Sequence, residues 1–215
     1  MTYLELVNGV LRRLREATVG SIAQNSYSEL IGDIVNDAKR IVEDAWDWSA
    51  LRSTITVTTA ADTSNYTLTG SGSNIKLLEV VNDTSKWFMQ YKDTYWMTNA
   101  YLNQEAPTGA PVYFTFNGLD SNDNSKVDLY PTPDGVYSIR FKGLVRPSDL
   151  VNDTDVLEVP SMPVLHLAFA MAARERGETG GRSAGELMGF AQSYLSDAIA
   201  LDAQKHPEEL TYMAV

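Results

Sequence analysis

The spacing of apolar residues changes twice along this chain, and the two changes divide it into blocks that cannot share one secondary structure. Up to Trp48 apolar residues recur every three or four positions; from Ser53 they alternate with threonines; from Ser161 the helical spacing returns. Fold class is therefore fixed early: α+β, with helices at both ends and a β-rich middle.

The first block predicts two helices. Thr2-x-x-Glu5 has capping-box form, and Tyr3, Val7, Val10, Leu11 and Leu14 share one face behind it. A second box, Ser26-x-x-Glu29, opens a longer helix whose stripe runs from Tyr27 through Ile31, Ile34, Ala38 and Val42 to Trp48. Joined by a short loop, the two should pack antiparallel. The last block repeats the design. Ser161 with Pro163 behind it starts an apolar helix that Gly177 stops, and Ser183-x-x-Glu186 opens a final helix to about Gln204, before Pro207.

Between them, short runs alternate with turn signals. Ile55 and Val57, Tyr66 and Leu68, and residues 75–81 read as strands, with a short one at Trp87-Phe88-Met89 and a helix over 93–104. The clearest β writing lies in residues 111–144: Val112 to Phe116, Lys126 to Tyr130 and Val136 to Leu144, separated by Asp-Asn-Ser and Pro-Asp-Gly breaks. It predicts a three-stranded meander. The expected architecture is an antiparallel helical bundle built from N- and C-terminal helical hairpins, with an inserted antiparallel β domain. The boundaries are 1–52 and 161–206 for the bundle halves, 53–160 for the insertion and 207–215 for a C-terminal tail.

Composition closes off several functions. Zero cysteines exclude a disulfide framework, a thiolate metal site and a Cys nucleophile. The two histidines, His166 on an apolar helix and His206 beside Pro207, are isolated; no Gly-x-Ser-x-Gly elbow offers a serine nucleophile. His166 is expected to be a hydrogen-bonded core residue and His206 solvated. A net charge of -11 opposes wrapping of nucleic acid. No apolar run is long enough to span a bilayer, and Met1 to Glu5 lacks the start of a secretory signal, so assembly in the cytoplasm is expected.

Each remaining candidate for chemistry has a plainer explanation. Asp120 to Ser125 resembles the start of a calcium loop, but Ser125 and Pro131 stand where Gly and a bidentate Glu are required, so a hairpin loop is expected. Glu43 with Asp47, and Asp33 with Asp37, share helix faces, interleaved with Lys39 and Arg40 as on a solvated surface. Residues 177–185 could offer N–H groups to an anion, but no strand precedes them and no Walker lysine follows. The aromatics Trp87, Phe88, Tyr91, Tyr95, Trp96 and Tyr101 would suit either a sugar platform or core packing beneath a short helix. No catalytic residue, cofactor or metal is assigned. In the tail, Leu210, Tyr212, Met213 and Val215 follow a helix-breaking proline, and such an extended apolar segment suits docking on a partner as a strand or anchor.

The layout resembles the head–tail adaptor (connector) proteins of tailed bacteriophages, including the tail tubular A type of short-tailed phages. The features that carry the likeness run in order. Leu6-Val7-Asn8-x-x-Leu11-x-x-Leu14 opens a helix; a long helix closes in Trp46-Asp47-Trp48 before Thr-rich strands. Val127-Asp128-Leu129-Tyr130-Pro131-x-Pro133 precedes Tyr137-Ser138-Ile139-Arg140-Phe141. An acidic link at residues 152–155 then leads to Val159-Pro160, a helix ending in Arg176-Gly177, and a final long helix. The resemblance implies a virion protein without enzymatic activity: a homo-oligomeric ring, dodecameric in the family, beneath the portal protein. Such a ring links the capsid to a tail tube or nozzle protein and surrounds a channel through which DNA passes without specific binding. It also maps the family's portal-seeking C-terminal segment onto Leu210, Tyr212, Met213 and Val215. A carbohydrate- or host-binding tail module built on the aromatic-rich β domain is the alternative.

Overall fold

The computed structural model describes residues 1–103, 107–177 and 184–205. It is mixed α+β, with five helices and two sheets among the described residues. The first half runs α1 (Tyr3–Arg13), α2 (Ser26–Ala45), β1 (Arg52–Thr58), β2 (Asn65–Thr67), β3 (Lys76–Asn82), β4 (Trp87–Phe88), β5 (Gln90–Tyr91) and α3 (Thr94–Asn103). There follow β6 (Tyr113–Leu119), β7 (Ser125–Tyr130), β8 (Ser138–Leu144), α4 (Ser161–Glu175) and α5 (Ala184–Ala203). The chain divides into two compact units, Met1–Ala50 with Ser148–Val215, and Leu51–Pro147.

In the helical unit α1 begins as its sequence predicts. Thr2 Oγ1 accepts from the Glu5 N–H at 3.2 Å and Glu5 Oε2 accepts from the Thr2 N–H at 2.9 Å. The second helix starts one residue earlier than the Ser26 box implies. Asn25 is the cap, accepting the Ser28 N–H at 2.8 Å, while the buried Ser28 hydroxyl donates to the Ile22 carbonyl at 2.6 Å. An Asn cap is at least as good as Ser, and Ser28 then closes the box that Glu29 was expected to close. The Ser183 box lies outside the described residues. Helices α1, α2 and α4 pack on one another, and α5 packs on α4. Gly32 permits one of these approaches: a Cβ there would meet Tyr3 Oη at 2.6 Å. After α4, Gly177 takes φ +66, a left-handed stop that a Cβ would strain.

The boundary expected at residue 160 falls earlier. Residues 148–160 are hydrogen-bonded into the helical unit and not into the sheets. Tyr3 N–H donates to the Asp155 carbonyl at 2.8 Å, Leu157 N–H to the Met1 carbonyl at 3.1 Å, and Ile22 N–H to Asp153 Oδ1 at 3.0 Å. Asn36 clamps Leu150 from both sides, Nδ2 to its carbonyl and Oδ1 to its N–H, each at 3.0 Å. Buried Leu150, Leu157 and Val159 explain the choice, since they extend the helical core.

In the other unit the three expected strands form, but not as a meander. β6 and β7 pair antiparallel, with Phe114 opposite Leu129 and Phe116 opposite Val127. β8 leaves for the second sheet and lies between β1 and β3. The sheet orders are β1-β8-β3-β4 and β2-β7-β6-β5. Pro131 and Pro133 lack the N–H groups a continued ladder needs, so the chain crosses over there. β5 pairs with β6 in parallel, which an all-antiparallel domain does not include. The two sheets enclose one core: Val57, Val80, Ile139 and Phe141 from one side, Phe114, Val127 and Leu129 from the other. Phe114 and Phe141 meet edge to face at 6.0 Å.

Candidate functional site

The residues singled out for chemistry do not converge. His166 is half-buried on α4, its ring stacked on Tyr194 of α5 at 4.1 Å and 16°. Burial, and then the Arg13 cation, hold it below the ordinary histidine range. Asp120 is the acceptor that closes the β6–β7 loop, bonded by the N–H groups of Asn122 and Asn124 at 2.8 Å each. Those donors, Asn124 first, lower its carboxyl below the usual range. Among the described residues no group of three or more His, Asp or Glu could hold a metal ion.

The carboxylates on and just after α2 split between two environments. Asp33, Asp37 and Asp47 are exposed, and Arg40 bonds both Asp37 and Asp149. Glu43 and Lys39, expected on the solvated face, are instead inside: Lys39 Nζ sits 3.0 Å from Glu43 Oε1, with side chains 1% and 2% exposed. Burial raises the Glu43 carboxyl, opposed by its contact with Lys39 and reinforced by Asp44 and Glu158. A single lysine–glutamate pair sealed from solvent cannot meet a substrate. Its position is a packing fact that a one-sided helical stripe cannot reveal.

A second buried carboxylate ties the end of α5 to the end of α2. Asp202 accepts from the Ser49 N–H at 2.9 Å, the Ser49 hydroxyl at 2.6 Å and Lys205 Nζ at 2.9 Å, with Trp46 Nε1 at 3.3 Å. Burial pushes its carboxyl up, and the Ser49 and Lys205 donors outweigh it and hold it well below the usual range.

Several large apolar side chains are exposed on the surface. The aromatic residues divide. Trp96 is half-buried, edge-on to Tyr113 at 4.9 Å and to Tyr130 at 5.5 Å, and Tyr101 donates to the Leu129 carbonyl at 2.7 Å. Tyr95 stands in solvent, and Phe88 and Tyr91 are also exposed. Trp96 is thus occupied by the core and does not join Tyr95 in a sugar platform. In the β unit a groove of about 530 Å³ opens between the sheets, lined by Leu77, Leu78, Glu79, Val80, Met89, Tyr91, Phe114 and Phe116. The sequence carried a trace of it in the Leu77-Leu78 doublet, which breaks strict alternation and marks the bulge in β3. On α5, Phe190, Tyr194 and Leu201 keep much of their surface open. Leu210, Tyr212, Met213 and Val215, with His206, lie outside the described residues.

No helix among the described residues is long and apolar enough to cross a membrane. No curated protein matches this sequence. A family model does, that of the SU10 adaptor protein, and it runs over residues 1–211, from the capped start of α1 past the end of α5. A match of nearly the whole chain, through both units, identifies it: the chain belongs to the SU10 adaptor protein family.

Proposed function

We propose that this chain is a structural subunit of a bacteriophage neck, a head–tail adaptor that works by assembly and not by catalysis. The observation that carries the reading is the SU10 adaptor family match over residues 1–211. In this reading, identical copies form a ring, dodecameric as in the resembling tail tubular A type, beneath the portal protein. The ring joins the capsid to a tail tube or nozzle protein and encloses the DNA exit channel. The subunit is assembled in the host cytoplasm and ends in the virion. Its N- and C-terminal helical hairpins act as one bundle, with the β domain inserted between them in the chain. The net charge of -11 serves the channel, because carboxylates in the lumen repel the phosphate backbone and let DNA slide. The C-terminal segment, through Leu210, Tyr212, Met213 and Val215, is the portal anchor.

The test is mass by light scattering, with electron microscopy of the same fractions, in the presence and absence of the phage's portal protein. Rings, or a portal complex lost on deletion of residues 206–215, are expected. A monomer that ignores the portal would overturn the reading.

A further inference from the structure

The chain contains two Asn-Gly pairs, Asn8-Gly9 and Asn117-Gly118, and the fold treats them oppositely. In such a pair the backbone nitrogen of the glycine can attack the asparagine side chain, because glycine has no Cβ to obstruct the approach. Attack forms a bond from that nitrogen to Cγ and expels the side-chain nitrogen as ammonia. Water then opens the cyclic imide at either carbonyl, leaving aspartate or isoaspartate. Asn8 is held against this reaction. Its Nδ2 donates to the Val19 carbonyl at 2.9 Å and its Oδ1 accepts the Val19 N–H at 2.8 Å, so both ends of the amide are fixed. Gly9 is buried inside α1, and a Cβ on it would stand 2.8 Å from Leu165 Cδ1.

Asn117 stands where the sheet is interrupted. Phe116 faces Val127 and Leu119 faces Ser125, so Asn117 and Gly118 together oppose the single residue Lys126. The extra residue makes a β-bulge, which breaks the local ladder. Gly118 takes φ +74, both residues are exposed, and nothing lies within 4 Å of the place a Gly118 Cβ would occupy. The Asn117 amide is restrained through its nitrogen, which donates to Asp128 Oδ2 at 2.7 Å. Asp128 Oδ1 accepts from Asn65 Nδ2 at 2.6 Å, so this carboxylate ties β2 and β6 to β7. We propose that Asn117 is a site of spontaneous deamidation, with water as the co-reactant, and that the change breaks the tie through Asp128. The product sets a second negative charge against Asp128 where an N–H had donated, and like charges so placed destabilise a sheet. Isoaspartate goes further, since it inserts a carbon into the main chain of β6.

The test holds the full-length chain in mildly alkaline buffer and maps its peptides over time by tandem mass spectrometry, with isoaspartate scored by enzymatic methylation. Asn117 is expected to convert to a mixture of aspartate and isoaspartate while Asn8 keeps its amide. In urea, where the fold is lost, the two sites should convert at similar rates, which shows that structure and not sequence separates them. Asp128→Ala frees the Asn117 amide and should speed its loss severalfold in the folded chain without affecting Asn8. Asn117→Asp, the simpler product, should melt about 4–8 °C below the parent. Asn117→Gln keeps an amide at the site and should no longer change with time there. An Asn117 amide that outlasts or merely matches that of Asn8 in the folded protein overturns the proposal. So does conversion to aspartate with no isoaspartate, which excludes the imide. An Asn117→Asp variant that melts with the parent overturns the broken tie.

Discussion

Replacing Lys39 by Met is expected to be among the most damaging single changes in the helical unit. The ammonium and the Glu43 carboxylate are 3.0 Å apart with side chains 1% and 2% exposed. At an effective dielectric near 20, their attraction is about 5.5 kcal/mol. Desolvating both groups offsets most of that, so the pair adds little net stability. Breaking it is another matter, because it strands a buried carboxylate at a cost of about 3–5 kcal/mol. Against a total stability of about 5–15 kcal/mol, that loss is large. Urea unfolding followed by circular dichroism at 222 nm, which reports chiefly on the helices, should show the midpoint falling by at least about 1 M for Lys39→Met. The double variant Lys39→Met, Glu43→Leu should return to within about 1 kcal/mol of the parent, because both charges leave together. The pH dependence has a defined sign. Burial raises the folded-state pKa of Glu43, so the native state holds the extra proton between the unfolded and folded values. Stability therefore falls as pH rises through that window, more steeply in Lys39→Met, and acidification should partly rescue the single variant. A single variant costing under 1 kcal/mol, or a double variant as damaged as the two single losses added, would refute the reasoning.

Asp202 titrates in the opposite sense. With its folded pKa depressed, it contributes stability above the unfolded carboxylate value, and that stability disappears only as pH falls through the lower folded value. Asp202→Ala should cost about 1.5–3 kcal/mol by urea titration and remove this acid-side dependence. Burial, with the nearby Asp33 and Asp149 charges, pushes the Tyr3 phenol up to about 12. Ultraviolet titration of Tyr3→Phe should lose one of the late-ionising tyrosines of the parent, and the parent's stability should decline as pH rises from 10 towards 12. Gly32→Ala, with its Cβ aimed at Tyr3 Oη 2.6 Å away, should cost about 1–3 kcal/mol by thermal melting. Phe114→Ala should remove about 3–5 kcal/mol from the β unit, read by fluorescence of Trp87 and Trp96.

The helices were legible because their signals are local. Thr2-x-x-Glu5, the stripe on α2 and the glycine after α4 each act within a turn or two of their own position. The strands were legible too, but their partners were not. Val136 to Leu144 reads the same whether it continues a meander beside β7 or crosses to lie between β1 and β3, because alternation sets the face of a strand and not its neighbour. The allegiance of residues 148–160 was hidden for a similar reason. Their acidic, turn-rich texture describes a loop, and only the hydrogen bonds to Tyr3, Ile22 and Asn36 assign it to the helices.

The clamp between the start of α1 and residues 153–157 sets a schedule for synthesis. Helices α1 and α2 leave the ribosome early, yet the partners of Met1, Tyr3 and Asn36 are encoded after the whole Leu51–Pro147 unit. At about 5–20 residues per second, that interval lasts roughly 5–20 s. Throughout it, Leu6, Val7 and Val35, wholly buried in the finished fold, still lack α4. A released chain ending at residue 147 should therefore carry a folded β unit and an unfinished pair of helices, the form most in need of a chaperone.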